Sequence, residues 1–182
     1  DLRLKGDTKK HWDSSSRLSF RIELKGDKTL LGLKKFSIQK PETRYHPYDF
    51  AFQSVMRQLG NLSAQHKYLN VFVNGENWGI MDVEEGMSKE LLEKQRRKES
   101  AIVRFSNESY WKYTYDSHNP YYLYRLSSPE LFVALYDSKK YLKDNRYRRI
   151  VSYISKHTVN KFHNLYDFES LSKAYISSMA WG

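Results

Sequence analysis

The chain has 182 residues, 40% of them apolar and 15% aromatic, which is enough to bury a core and excludes a disordered polymer. It contains no cysteine, so neither a disulfide framework nor a thiolate metal site is open to it. The net charge of +10 is uneven, with +6 on residues 1–60, −1 on 61–120 and +5 on 121–182, a field that attracts nucleotide phosphates, nucleic acid or acidic protein segments.

Leu2–Lys5 and Leu18–Leu24 read as strands. Phe20, Ile22 and Leu24 alternate with Ser19, Arg21 and Glu23, so one face is apolar and one polar. Gly6–Ser16 joins them as a polar stretch with Thr8, Lys9, Lys10 and three serines. Gly26-Asp27 marks a turn, and Leu30–Ile38 reads as a further strand. Asp49–Leu59 has Phe52, Val55, Met56 and Leu59 at helical spacing, with Asp49 placed to cap and Gly60 just past the end.

Tyr68–Glu85 is the clearest element, a hairpin. Leu69, Val71 and Val73 alternate with Tyr68, Asn70 and Phe72. Asn74-Gly75 suits a two-residue turn that needs positive φ, and the return strand Trp78–Val83 ends in Glu84 and Glu85. Ser88 is placed to cap a helix over Lys89–Arg97, and Ala101–Phe105 reads as a strand. Ser106–Tyr124 is rich in Ser, Asn and Tyr and reads as a long loop. Ser128-Pro129-Glu130 is a helix start. Helices are predicted over Glu130–Leu142 and Arg146–His157. A last helix opens at Asp167, with Phe168, Leu171, Tyr175, Ile176 and Met179 on one stripe. Strands first and helices later define an α+β order. No apolar run approaches the length of a membrane span.

The Gly6–Ser16 connection offers backbone amides, hydroxyls and lysines to phosphate oxygens, although it lacks the spacing of a P-loop. Arg17 and Arg21 follow it and could bind phosphate bidentately or solvate an exposed strand face. Glu84 and Glu85 could equally be an acidic approach to the Ser88 helix. Arg104 is a charge in an apolar strand and could serve a cleft or reach outward to solvent. The six histidines are scattered without the close spacing of a zinc site. Asp116, His118 and Asn119 follow a tyrosine-rich loop and read as loop residues.

Several stretches, in order, resemble the CotH kinases, atypical protein kinases named after a spore coat protein. They are Leu2-Arg-Leu-Lys-Gly6, Ser19-Phe-Arg-Ile-Glu-Leu24, Leu31-Gly-Leu-Lys-Lys-Phe36, and the run from Asn74-Gly-Glu through Gly79-Ile-Met-Asp-Val-Glu-Glu85 to Ser88-Lys-Glu-Leu-Leu92. The resemblance covers about Leu2 to Phe105. It implies an atypical-kinase-like lobe over 1–105, a connection over 106–124 and the start of a helical lobe over 125–182. It implies ATP and magnesium as ligands, a protein substrate such as a coat or envelope protein, and a location outside the cytoplasm. It places nucleotide binding at Lys5, Gly6, Arg17, Arg21, Glu85 and Arg104, with Glu85 as partner to a phosphate-binding cation. The family carries lysine near Arg17, where this chain has Arg17-Leu18. It carries its catalytic aspartates after a helix resembling Leu171–Trp181, so none is expected before Gly182. A second reading from a different class is a non-catalytic surface or coat module that holds an acidic or host partner. No recognition helix or stacking motif speaks for nucleic acid.

Overall fold

A computed structural model describes residues 1–6, 11–12, 17–100, 102–105, 133–136, 143–157 and 166–181. The strands are β1 (Leu2–Leu4), β2 (Phe20–Glu23), β3 (Lys35–Gln39), β4 (His66–Val73), β5 (Glu76–Glu85), β6 (Ile102–Phe105) and β7 (Val133–Tyr136). The helices are α1 (Tyr48–Gln58), α2 (Lys89–Lys94), α3 (Asn145–His157) and α4 (Phe168–Trp181), and a short 3-10 turn over Pro41–Arg44 precedes α1. The class is α+β. Two compact units divide the chain, Asp1–Glu99 with Glu169–Gly182, and Ser100–Phe168. Among the described residues no helix is long and apolar enough to cross a membrane.

The first unit is built on a five-stranded antiparallel sheet in the order β1-β2-β3-β5-β4. Period-two alternation gives it two unlike faces. On one, Phe36 and Val83 are buried with Leu33, and Ile22, Leu24, Ile38 and Leu69 pack around them. Trp78 extends this apolar layer by stacking on Phe20, with ring centroids 6.1 Å apart. The other face carries Arg21, Ser37, Gln39, His66, Tyr68, Asp82 and Glu84, brought side by side by the register Arg21↔Ser37, Ser37↔Glu84, Gln39↔Asp82 and His66↔Glu84.

The helices cover both sides. The Pro41–Arg44 turn and α1 lie over the polar face, with Phe50 edge-on to Tyr68 at 5.7 Å. Helix α2 buries Leu91 and Leu92, and its Lys94 reaches Glu85 at 2.7 Å. Buried Ser63 joins these helices: its hydroxyl donates to the Gln53 carbonyl at 2.6 Å, and its backbone exchanges hydrogen bonds with the Gln95 side chain. Helix α4 is fixed at Asn61, whose Nδ2 donates to the Ser170 carbonyl at 2.9 Å.

Several expectations need correction. Leu30–Ile38 is not one strand. Leu31 and Gly32 have φ of 54° and 77°, and Leu30 and Leu33 bridge across them, so the strand begins at Lys35. Asp49 does not cap α1. Pro47 holds that position, and Asp49 lies in the first turn. Ser88 is at the α2 N-cap position but makes no side-chain cap bond, and the helix stops at Lys94. Val133–Tyr136, expected within a helix, is a strand paired with β6 in the second unit. A four-residue apolar run has no periodicity to separate strand from helix, and the long-range pairing decides. The α4 stripe is largely exposed at Phe168, Tyr175, Ile176 and Met179. Thr8, Lys9, Lys10, the Ser106–Tyr124 loop with Asp116, His118 and Asn119, and the Ser128-Pro129 helix start lie outside the described residues.

Candidate functional site

The polar face of the first unit holds a network of charges centred on Glu84. One carboxylate oxygen, Oε2, accepts from Lys5 Nζ and from Gln39 Nε2, the latter at 2.9 Å. The other, Oε1, accepts from Arg44 Nη2. Lys5 enters because it follows Arg3 at the period-two spacing of β1, and Arg44 enters from the end of the 3-10 turn. Arg44 is in turn 3.0 Å from Asp49 in the first turn of α1. Arg44 Nε and Asp49 Oδ2 count as unpaired by hydrogen-bond geometry despite that distance, so this contact is ionic rather than a directed bond.

Burial opposes the charge on Glu84, but Lys5 and Arg44 outweigh it and hold the carboxyl at about 2. Burial of Lys5 outweighs the attraction of Glu84 and moves the lysine below its ordinary value, with Arg44 and Arg21 adding repulsion. The Arg44 guanidinium also meets a burial cost, yet Glu84 and Asp49 raise it further above its ordinary value. Glu84 thus remains ionised as the common counter-ion of two cations.

Beside it lies a second, fully buried layer. Gln39 Nε2 also donates to Asp82 Oδ2 at 3.0 Å, and His66 Nδ1 lies 3.0 and 3.1 Å from the two Asp82 oxygens. The His66 ring and the Asp82 carboxyl are thus joined directly. Tyr68 closes the row: its hydroxyl is 2.8 Å from His46 Nδ1, and burial with Asp82 and Asp49 nearby pushes its ionisation up to about 12.

The expected site residues divide. Lys5 is central. Gly6 adjoins it with φ of +116°, and a Cβ there would lie 2.1 Å from the His11 ring, so only glycine fits the close approach of these backbone segments. Arg17 Nη2 donates to the Ile80 carbonyl at 3.1 Å, on the strand that carries Glu84. Its buried Nε has no acceptor among the described residues. Arg21 is on the polar face near Lys5. Glu85 is on the opposite face, held by Lys94 and by the Gln65 amide at 3.3 Å. It is Glu84, not Glu85, that faces the cation, because Phe36↔Glu85 and Ser37↔Glu84 fall on alternate sides of the sheet. Arg104 lies on β6, in the second unit, opposite Ala134.

Sequence reasoning missed Gln39, Arg44, His66 and Asp82. Three of them carry a signal in retrospect: polar residues at alternate positions of strands whose other positions are apolar. Arg44 carries none, since it reaches the face from a turn.

Among the described residues no three His, Asp or Glu side chains converge to hold a metal ion. Magnesium needs only one or two carboxylates with substrate phosphates, but Glu84 and Asp82 are both committed to partners, so neither is assigned to it. The chain matches no protein-family model, no curated protein and no solved structure in comparison.

Proposed function

We propose that the first unit binds the polyphosphate of a nucleotide such as ATP, as the nucleotide-binding lobe of an atypical protein kinase of CotH type. The observation that carries this reading is the half-buried Lys5–Glu84 pair on the polar sheet face, next to the glycine at Gly6. Phosphoryl transfer relies on a cation positioned at the phosphates, and that cation is kept in place by an acid. Lys5 has three donor hydrogens and places one on Glu84. Arg44 and Arg21 add positive field on the same face. The phosphate-holding group is therefore Lys5, while Gln39 and Arg44 fix Glu84. Magnesium, when bound with the nucleotide, would neutralise and orient the phosphates.

The test is calorimetric titration of ATP with magnesium into the chain and into Lys5→Met. Loss of a charge-assisted phosphate contact should weaken binding at least tenfold, since such a contact contributes about 1.5–3 kcal/mol. Equal affinity of the two proteins would remove the assignment.

A module that holds an acidic partner is the second reading. It is favoured by one observation: Arg146, Arg148 and Arg149 of α3 are all exposed. Binding of an acidic protein that survives Lys5→Met and is lost on replacing these arginines would support it.

A further inference from the structure

Beyond Asp82 the polar face changes character. Moving along β5 from Glu84 to Ile80 covers four residues, about 13 Å of strand. Here two large apolar side chains are open among exposed asparagines: Ile80, opposite Asn70, is 57% exposed and Phe72, opposite Asn77, 63% exposed. Ile80 pairs with Asn70, which places Tyr68 as its diagonal neighbour, about 7–8 Å away, and Phe72 follows Asn70 along the strand beyond a register shift at Val71/Phe72. Phe50 of α1 continues this surface against Tyr68. Phe72 and Ile80 are large apolar side chains left open in a chain that buries comparable residues on the other face of the same sheet. Arg17 lies at the junction, bound to the Ile80 carbonyl.

The face therefore carries Lys5, Arg17 and Arg44, each beside a carboxylate, at one end, and the open side chains of Phe72 and Ile80, with Asn70 opposite Ile80 and Tyr68 edge-on to Phe50, at the other. A ligand that matches both ends is a polyanion at one end and a planar apolar ring at the other, separated by the span of an extended nucleotide. We infer that Phe72, Ile80 and Tyr68 form the subsite for the nucleotide's base, which lies on the open β4–β5 hairpin while the phosphates lie at Lys5. This inference rests on the nucleotide reading above. Stacking on aromatic and aliphatic side chains tolerates any base, so the subsite contributes affinity more than choice between bases.

The experiment compares two ligands, ATP and inorganic tripolyphosphate, by titration calorimetry on three proteins: the unaltered chain, the double variant Phe72→Ser with Ile80→Thr, and Lys5→Met. Both replaced side chains are exposed, so the fold is retained, which circular dichroism confirms. The double variant should bind ATP about tenfold more weakly and tripolyphosphate unchanged. Lys5→Met should weaken both. If the double variant keeps full ATP affinity while Lys5→Met loses it, the base subsite is overturned and the phosphate assignment stands. If the unaltered chain binds neither ligand, or Lys5→Met changes neither, both fall together. Sedimentation of the same proteins covers the other occupant: a dimer that the double variant dissolves with no change in ATP affinity makes this patch a self-association surface and overturns the inference.

Discussion

Glu84 serves two cations at once, and that asymmetry can be measured. Removing Lys5 leaves Glu84 with Arg44 and Gln39, whereas neutralising Glu84 leaves Lys5 and Arg44 facing each other without a counter-ion. Removing one partner of such a pair costs about 3–5 kcal/mol when it leaves an uncompensated charge, and Lys5→Met leaves Glu84 still compensated by Arg44 and Gln39. Urea unfolding should therefore show Glu84→Gln destabilised by about 3 kcal/mol and Lys5→Met destabilised clearly less. The reverse order would show that Lys5, not Glu84, holds the network together.

The same residue sets an acid limit. Glu84 ionises at about 2 when folded, against an ordinary 4.5. Between these values the unfolded chain binds the extra proton, so the stabilisation is complete above about pH 4.5 and is lost as pH falls toward 2. Its size is about 3 kcal/mol, at 1.36 kcal/mol per unit. Stability measured from pH 6 down to pH 3 should fall in the unaltered chain and fall less steeply in Glu84→Gln. Parallel profiles would mean that another group governs the acid limb.

At this scale the sequence was half legible. Lys5 was reached only through the family resemblance, and the acid pair through its place at the end of the return strand of the hairpin. Which acid faces the lysine could not be read, because Glu84 and Glu85 differ by one step and only the pairing of Ser37 with Glu84 decides it. The His66–Asp82 contact joins the start of one strand to the middle of the next, and no local spacing encodes that.

Among the elements, the β4–β5 hairpin was the most legible, and its turn shows why. Asn74 and Gly75 have φ of 52° and 85°, as a two-residue turn between twisted strands demands. Gly75→Ala adds a Cβ in open space, so the cost is conformational alone. It should destabilise the unit by about 1–2 kcal/mol in urea unfolding. An unchanged midpoint would mean that the turn relaxes to another type. The α1 start was less legible. Asp49 has the chemistry of a cap, but Arg44 draws it into an ionic contact in the first helical turn. The Val133–Tyr136 strand was not legible, since its partner, Ile102–Phe105, lies 28 residues away at Phe105↔Val133 and 34 at Ile102↔Tyr136, and only the pairing distinguishes it.

For the whole molecule, the fold matches charge with charge on the polar sheet face. Glu84 is shared by Lys5 and Arg44, Asp49 lies beside Arg44, Glu42 beside Arg17, and Asp82 in the buried layer. Composition predicts an attraction to polyanions, and the proposed site is the half-buried Lys5 that the sheet register sets against Glu84. The most direct test of that site uses an ATP analogue whose terminal phosphate carries an acyl group. A deprotonated lysine at the phosphates attacks the acyl carbon, the acyl–phosphate bond breaks, and ATP leaves while an amide forms on Nζ. Burial lowers the ionisation of Lys5, which favours this reaction. Peptide mass spectrometry should find the acyl group on Lys5 and should find it suppressed by excess ATP. Labelling that avoids Lys5, or that excess ATP leaves unchanged, would contradict the assignment of nucleotide phosphates to this face.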